Sequence, residues 1–260
     1  MSNRVSYTLA VLLLLLAAAL RFSTLATLPP GFSNNEINDL RIAETVRQGR
    51  VEVFYNLNGQ GREGLYQALL AAATTTGGGL VGYRVVSVWI GLITLALVYI
   101  LGKRLFGTLA GLAALALLAV SMFPIVLARS IAPETMLPLY VTAVLLALSL
   151  SLSISETHAV PRTAAFGALG VLLGLGFYLH PESILVAVFS LLFIAILILV
   201  RRPAPRHMIS FTWFALVVMV VIATPYVISS LQRPGLAAAG RLLVDDPSNG
   251  FLQSLGAGFN

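Results

Sequence analysis

Seven long apolar runs divide this chain, at residues 5–20, 85–101, 109–127, 136–154, 164–179, 184–200 and 209–231. Most are close to the ~17–25 residues that a helix needs to cross about 30 Å of hydrocarbon. Lipid offers backbone N–H and C=O groups no partner, so a segment there must satisfy its own hydrogen bonds; continuous apolar runs of this length do so as helices. The surface chemistry agrees. Charged residues are 10 % of the chain and hydrophobic residues 58 %, whereas a soluble domain carries about 25 % charge. A soluble enzyme and a disordered tail are both excluded. The absence of cysteine removes a disulfide scaffold and thiol chemistry. The expected fold is an all-α, polytopic transmembrane helical bundle of about seven spans.

A formal charge of +6 would suit a nucleic-acid binder if the basic residues were clustered. They fall instead singly or in short groups between the apolar runs, where they set topology. With the N-terminus cytoplasmic, inside loops hold Lys103 and Arg104, then Arg162, then Arg201, Arg202, Arg206 and His207, while outside turns hold Arg129 and the His180–Glu182 pair. Every inside turn then satisfies the positive-inside rule. This predicts a multi-pass protein of the cytoplasmic (plasma) membrane with no nucleic-acid partner. Residues 5–20 also fit a cleavable signal peptide, with Arg4 before a leucine-rich core and Ala17 to Ala19 as a small-residue site. Six further runs make an uncleaved first span the simpler account. Gly107–Gly111 and Gly170–Gly174 have the GxxxG spacing that lets helices approach closely, and both are read as packing.

Residues 22–82 are too long and too polar for a simple connection. They hold half of the acids: Glu36, Asp39, Glu44, Glu52 and Glu63. Leu28-Pro29-Pro30-Gly31 ends the first span. Ser33-Asn34-Asn35-Glu36 reads as a capping box opening a short helix over about residues 36–48, with Gly49 placed to stop it. A turn-rich stretch follows at Asn56-Leu57-Asn58-Gly59-Gln60-Gly61. Leu65, Leu69, Ala72 and Ala73 then share one helical face. Were this second loop helix to span, every later basic loop would flip outside, so it is placed in the outer interface. The organisation is a transmembrane domain over 1–231, with its first outer loop at 22–82, and an outer-face tail over 232–260. Phe251 to Asn260 carries no natural end signal, which suggests a shortened relative or part of a longer chain.

This arrangement resembles the GT-C superfamily of glycosyltransferases, near the protein O-mannosyltransferases and the bacterial aminoarabinose transferases. The resemblance rests on Leu28-Pro29-Pro30-Gly31 followed by Asn35-Glu36, on Gly61-Arg62-Glu63-Gly64-Leu65-Tyr66, and on Tyr83-Arg84-Val85-Val86-Ser87. Gly102-Lys103-Arg104-Leu105-Phe106-Gly107 and the stretch from Arg129 to Glu134 extend it. Together these cover roughly residues 1–155. The resemblance implies a polyprenyl-phosphate sugar donor and an acceptor hydroxyl approached from the outer face. It also implies an Asp-Glu pair opening the first outer helix, whose aspartate acts on the acceptor. A hydroxyl is a poor nucleophile at neutral pH, and a positioned base contributes about 10²–10⁴-fold. Here the aspartate position holds Asn35, whose carboxamide can orient a hydroxyl but cannot take its proton.

The candidate catalytic residues are therefore Glu36, or else Asp39, as base, with Asn35 orienting the acceptor. Each also has a plain structural role: Glu36 as the third position of the capping box, Asp39 as a solvated helix face, Asn35 as a loop amide. Arg62, Arg84 and Arg129 suit the donor phosphate, because a guanidinium makes bidentate charge-assisted bonds. Snorkelling would equally explain Arg84. Glu63, Glu134 and His180 complete the substrate-binding candidates. His180 and Glu182 alone do not make a metal site, no phosphate loop, dinucleotide fingerprint or serine elbow is present, and no cofactor is assigned. A rival reading takes Asn35 and the short length as marks of a catalytically inactive GT-C-like subunit in a larger membrane complex. A transporter ranks last, since the spans show no mid-membrane acids.

Overall fold

The structure is a computed structural model that describes residues 3–57, 60–74, 79–152, 162–200 and 206–232. The expected tail at 232–260 lies outside these apart from Gln232, as do His158, Arg201 and Arg202. In chain order come α1 (Asn3–Phe22), α2 (Asn34–Arg47), strands β1 (Phe54–Leu57) and β2 (Gln60–Glu63), and α3 (Leu65–Thr74). Then follow α4 (Gly79–Phe106), α5 (Thr108–Val120), α6 (Met122–Arg129), α7 (Met136–Ser151), α8 (Arg162–Leu175), α9 (Pro181–Val200) and α10 (Arg206–Gln232). This is an all-α polytopic protein. Among the described residues the only paired strands are the antiparallel hairpin β1–β2, with Phe54 opposite Glu63 and Leu57 opposite Gln60, where the sequence suggested only turns.

Each of the seven apolar runs carries helix among the described residues, but they are not seven equal spans. Among the described residues, five helices are long and apolar enough to cross a membrane. The run at 109–127 is broken into α5 and α6 at a bend of 59° and counts as a sixth span if the pair crosses together. Arg162–Tyr178 is a shorter apolar helix. The break falls at Ser121, whose extended backbone (φ −65°, ψ 131°) ends α5. It orphans carbonyls at the α5 C-terminus. Arg21, at the end of α1 and 1 % exposed, donates to Leu118 O (3.4 Å) and Ala119 O (3.2 Å) as well as to Ala17 O (3.2 Å). A cation at a helix C-terminus also meets the negative end of the helix dipole.

The bundle has two ends. α1, α4, α5, α6 and α7 run between a loop platform built by α2, the hairpin and α3, and an opposite end marked by Lys103, Arg104 and Arg162. At the platform, Ala43 of α2 packs with Tyr66, Leu70 and Ala71 of α3, Ile90 of α4, and Ile131 and Met136. Large apolar side chains such as Leu15, Leu117, Phe189, Trp213 and Val221 are exposed on the outside, as a lipid-facing surface requires.

The two glycine pairs differ. Gly170 and Gly174 bring α8 onto α10: a Cβ at Gly174 would sit 2.7 Å from Ile222 Cβ, and one at Gly170 would collide with the Ala215 carbonyl. Gly111 faces Gly102 across α4 and α5, whereas Gly107 has open space and φ +91°. It is a turn residue between the two helices, for the reason that glycine alone enters that region freely. Gly174→Leu is expected to lower the melting temperature sharply, since overpacking costs about 1–3 kcal/mol or more. Val171→Leu, on an exposed position of the same helix, should melt like the parent; equal melting of all three forms would refute the close approach.

α10 contains Pro225, which removes a donor and bends the ladder. The Tyr178 hydroxyl donates to Ile222 O (2.8 Å) and accepts from Tyr226 N (3.2 Å). These are the two groups that a regular helix would bond to one another. Tyr226 in turn packs against Phe54 of the hairpin, with ring centroids 4.9 Å apart and the planes tilted by 58°.

Candidate functional site

The platform holds a cavity of about 450 Å³. Three segments line it: the loop from Pro29 to Ser33, the first turns of α2 with Asn35, Glu36 and Asp39, and the connection carrying Ser130, Ile131, Ala132 and Glu134. The first wall is held by Arg84. This side chain, fully buried in α4, donates to Leu25 O (3.0 Å), Pro29 O (2.8 Å) and Gly31 O (2.9 Å). Its guanidinium gathers the chain after α1 into a loop, and its charge is spent on carbonyls. Arg129 does similar work from α6, donating to Ser23 O (2.6 Å) and Thr24 Oγ1 (2.7 Å).

The second wall begins with the capping box that the sequence announces. Ser33 Oγ accepts from Glu36 N (3.2 Å) and Glu36 Oε2 accepts from Ser33 N (2.8 Å). Glu36 Oε1 also accepts from the buried Ile131 N (2.9 Å). Both oxygens of Glu36 are therefore bonded to backbone, and the residue joins α2 to the third wall. At its far end α2 closes with Gly49 at φ +85°, with Gly49 N on Val46 O (2.9 Å) and Arg50 N on Thr45 O (3.2 Å). That paired C-terminal motif needs a left-handed residue, and glycine supplies it. Glu36→Ala keeps the Ser33 cap but removes the return arm of the capping box to Ser33 N and strands the buried Ile131 N–H, which together cost on the order of 1–4 kcal/mol. A clear fall in melting temperature is expected, and an unchanged melt would contradict the bracing role.

Asp39 lies one turn further along α2 and is completely buried. Oδ1 accepts from Arg62 Nη1 (2.6 Å) and Gln67 Nε2 (2.8 Å). Oδ2 has no hydrogen-bond partner among the described residues. Burial pushes the carboxyl above its ordinary range; Gln67 and Arg62 pull it back, and Glu134 adds to the rise. Arg62 Nη2 reaches Asn35 Oδ1 as well (3.4 Å), so one guanidinium links the two α2 side chains. Beneath them the Tyr66 hydroxyl meets Ser87 Oγ (2.8 Å), and burial raises its pKa.

Of the candidates read from the sequence, Asn35, Glu36, Asp39 and Glu134 line one cavity, and Arg62 bonds two of them. Arg62 pairs with Asp39, not with its neighbour Glu63, which sits on β2 opposite Phe54. Arg84 stands behind the loop and Arg129 beside Ser130. His180 is elsewhere, paired with Glu182 at the start of α9, and does not line the cavity. Gln67 and Arg21 went unnoticed in the sequence: a glutamine in a short amphipathic helix and one arginine at the end of a span carry no local mark. Among the described residues no group of three His, Asp or Glu could hold a metal ion.

The fold and this cavity define a multi-pass helical membrane protein with a carboxylate-bearing site on the loops at one end of the bundle. A family model, dolichyl-phosphate-mannose-protein mannosyltransferase, matches residues 65–228. The chain belongs to that family of GT-C-type membrane glycosyltransferases. The matched stretch includes Arg84, Arg129, Glu134 and His180, while Asn35, Glu36, Asp39, Arg62 and Glu63 precede it. No curated protein and no solved structure matches the chain.

Proposed function

We propose that the protein transfers a sugar from a polyprenyl-phosphate donor to an acceptor hydroxyl at the outer face of the membrane, with Asp39 as the general base. The observation that carries this reading is the Asp39 carboxylate, buried at the cavity, raised in pKa and with Oδ2 uncommitted. Glu36, whose two oxygens are bonded to backbone, is assigned to bracing instead. In the step, the acceptor O–H gives its proton to Asp39 Oδ2 while its oxygen bonds to the anomeric carbon. The bond from that carbon to the phosphate oxygen breaks, and polyprenyl phosphate leaves with the electron pair. Asn35 orients the acceptor and Arg62, still partly exposed, faces the departing phosphate. Arg129 supports the same end, and Arg84 shapes the loop that closes it. Glu63 and His180 take no part. The domain reading is one transmembrane unit over 1–231, its N-terminus cytoplasmic, and the apolar surface between spans takes the prenyl chain.

The test is transfer by the protein in lipid from radiolabelled polyprenyl-phosphate sugars, followed as a function of pH. The base must be ionised, so activity rises as pH climbs through the Asp39 pKa. Because burial raises that pKa, the acid limb is expected above the ordinary aspartate range near about 4. A limb at or below the ordinary range would remove Asp39 from the role. No turnover with any donor at any pH would sink the transferase reading in favour of an inactive subunit of a larger complex.

A further inference from the structure

At the end of the bundle opposite the platform, α4, α7 and α9 leave a groove of about 580 Å³. Leu105, Leu145, Leu148, Leu152 and Phe193 line it, with Arg104 and Ser149 at its rim. Leu105, Leu145 and Phe193 are 52 %, 42 % and 47 % exposed, so the groove opens sideways to where the bilayer lies. In that medium an apolar groove beside spanning helices is filled by hydrocarbon. The rim is cationic. Arg104 gives one Nη2 hydrogen to Ser149 O (3.2 Å) and makes no other hydrogen bond among the described residues, leaving most of its five N–H groups for an outside acceptor. Lys103 stands on the same turn with Nζ 4.2 Å from the Tyr7 ring centroid. Arg4 and Arg162 begin α1 and α8 at this same end.

We propose that this groove is a binding site for an anionic phospholipid, one acyl chain lying along Leu145, Leu148, Leu152 and Phe193 and the phosphodiester held by Arg104. Charge complementarity selects the occupant. A zwitterionic lipid could fill the apolar part equally well, but its ammonium would be repelled by Lys103 and Arg104, whereas a net anion gains from both. The guanidinium matches a phosphate better than a point cation does. The site lies at the far end of α4 from the Asp39 cavity and stands whether or not transfer is observed.

The experiment is native mass spectrometry of the purified full chain, offered phosphatidylglycerol and phosphatidylcholine of equal chain length. The parent is expected to retain one phosphatidylglycerol with a preference of about five-fold per rim cation. Arg104→Gln should lower that preference by about five-fold. Leu145→Trp, which fills the groove from an exposed position, should lower retention of both lipids, while Leu117→Trp on exposed α5 should change neither. Circular dichroism of each form verifies that the helices persist. Equal retention of the two lipids by the parent, or an undiminished preference in Arg104→Gln, would overturn the proposal. So would displacement of phosphatidylglycerol by an equal concentration of polyprenyl monophosphate, which would make the groove a donor site instead.

Discussion

Asp39→Asn is expected to cut sugar transfer by about 10²–10⁴-fold, the range a general base supplies, while the protein still folds. The carboxamide keeps an oxygen for Arg62 and Gln67, the two partners of Oδ1, so the loss should fall on kcat rather than on the cavity. It does leave the Arg62 cation without its counter-ion, a cost softened by the partial exposure of that side chain. Two companions separate chemistry from architecture. Asn35→Asp places a carboxylate where the resembled enzymes carry one, and Asp39→Asn combined with it should regain part of the lost rate if the cavity accepts a base from either position. Glu36→Gln should lose stability and leave the pH dependence of any remaining activity unchanged. The assay is initial rate against acceptor concentration in the same lipid for every form. Asp39→Asn working at the parental rate would end the case for Asp39 as base.

Arg21→Met should be the most damaging single change to the bundle. The methionine is comfortable in an apolar site, so the damage comes from what it leaves behind: the Leu118 and Ala119 carbonyls at the α5 break. Each buried acceptor left without a donor costs about 1–3 kcal/mol, and in hydrocarbon no water replaces the guanidinium. Arg21→Lys, with a single ammonium in place of the planar fork, should fall between the two. Arg41→Met, which alters an exposed position on α2, serves as the control. Thermal unfolding in one detergent gives the comparison, and an Arg21→Met protein that melts with the control would show that the break satisfies itself.

The elements that sequence reading located are those written in local pattern. Ser33 to Glu36 opens α2 by the hydrogen bonds its spacing demands, Gly49 ends it, and α3 occupies the stretch that reads as the second loop helix, packing inward through Tyr66, Leu70 and Ala71. Each of the seven apolar runs carries helix among the described residues, yet their lengths misled. Pro124, three residues past Ser121, cannot bond the Val120 carbonyl and so marks a break inside 109–127, whereas the arginine about a hundred positions earlier that takes up the freed carbonyls leaves no local sign. The hairpin was half visible. Asn58-Gly59 between short runs is a hairpin signal, but Leu57 and Gln60 offer no alternation around it. The site followed the same rule. That Asp39, Asn35 and Arg62 would converge required knowing that the hairpin folds back over α2, a pairing across more than twenty residues that no periodicity records. Arg84 was recognisable as a cation at the start of a span. That it holds three carbonyls of the preceding loop was not.

The Tyr178 hydroxyl in the ladder of α10 gives one more consequence. By filling the gap at Pro225 it fixes the orientation of Tyr226, and Phe54 of the hairpin rests on that ring. Across the hairpin Phe54 stands opposite Glu63, next to Arg62 on the same strand. The counter-ion of Asp39 is thus surveyed from two separate benchmarks, α2 on one side and the bend of α10 on the other. A tilt of α10 in a thicker or thinner bilayer would carry to Arg62 through two aromatic rings and one strand.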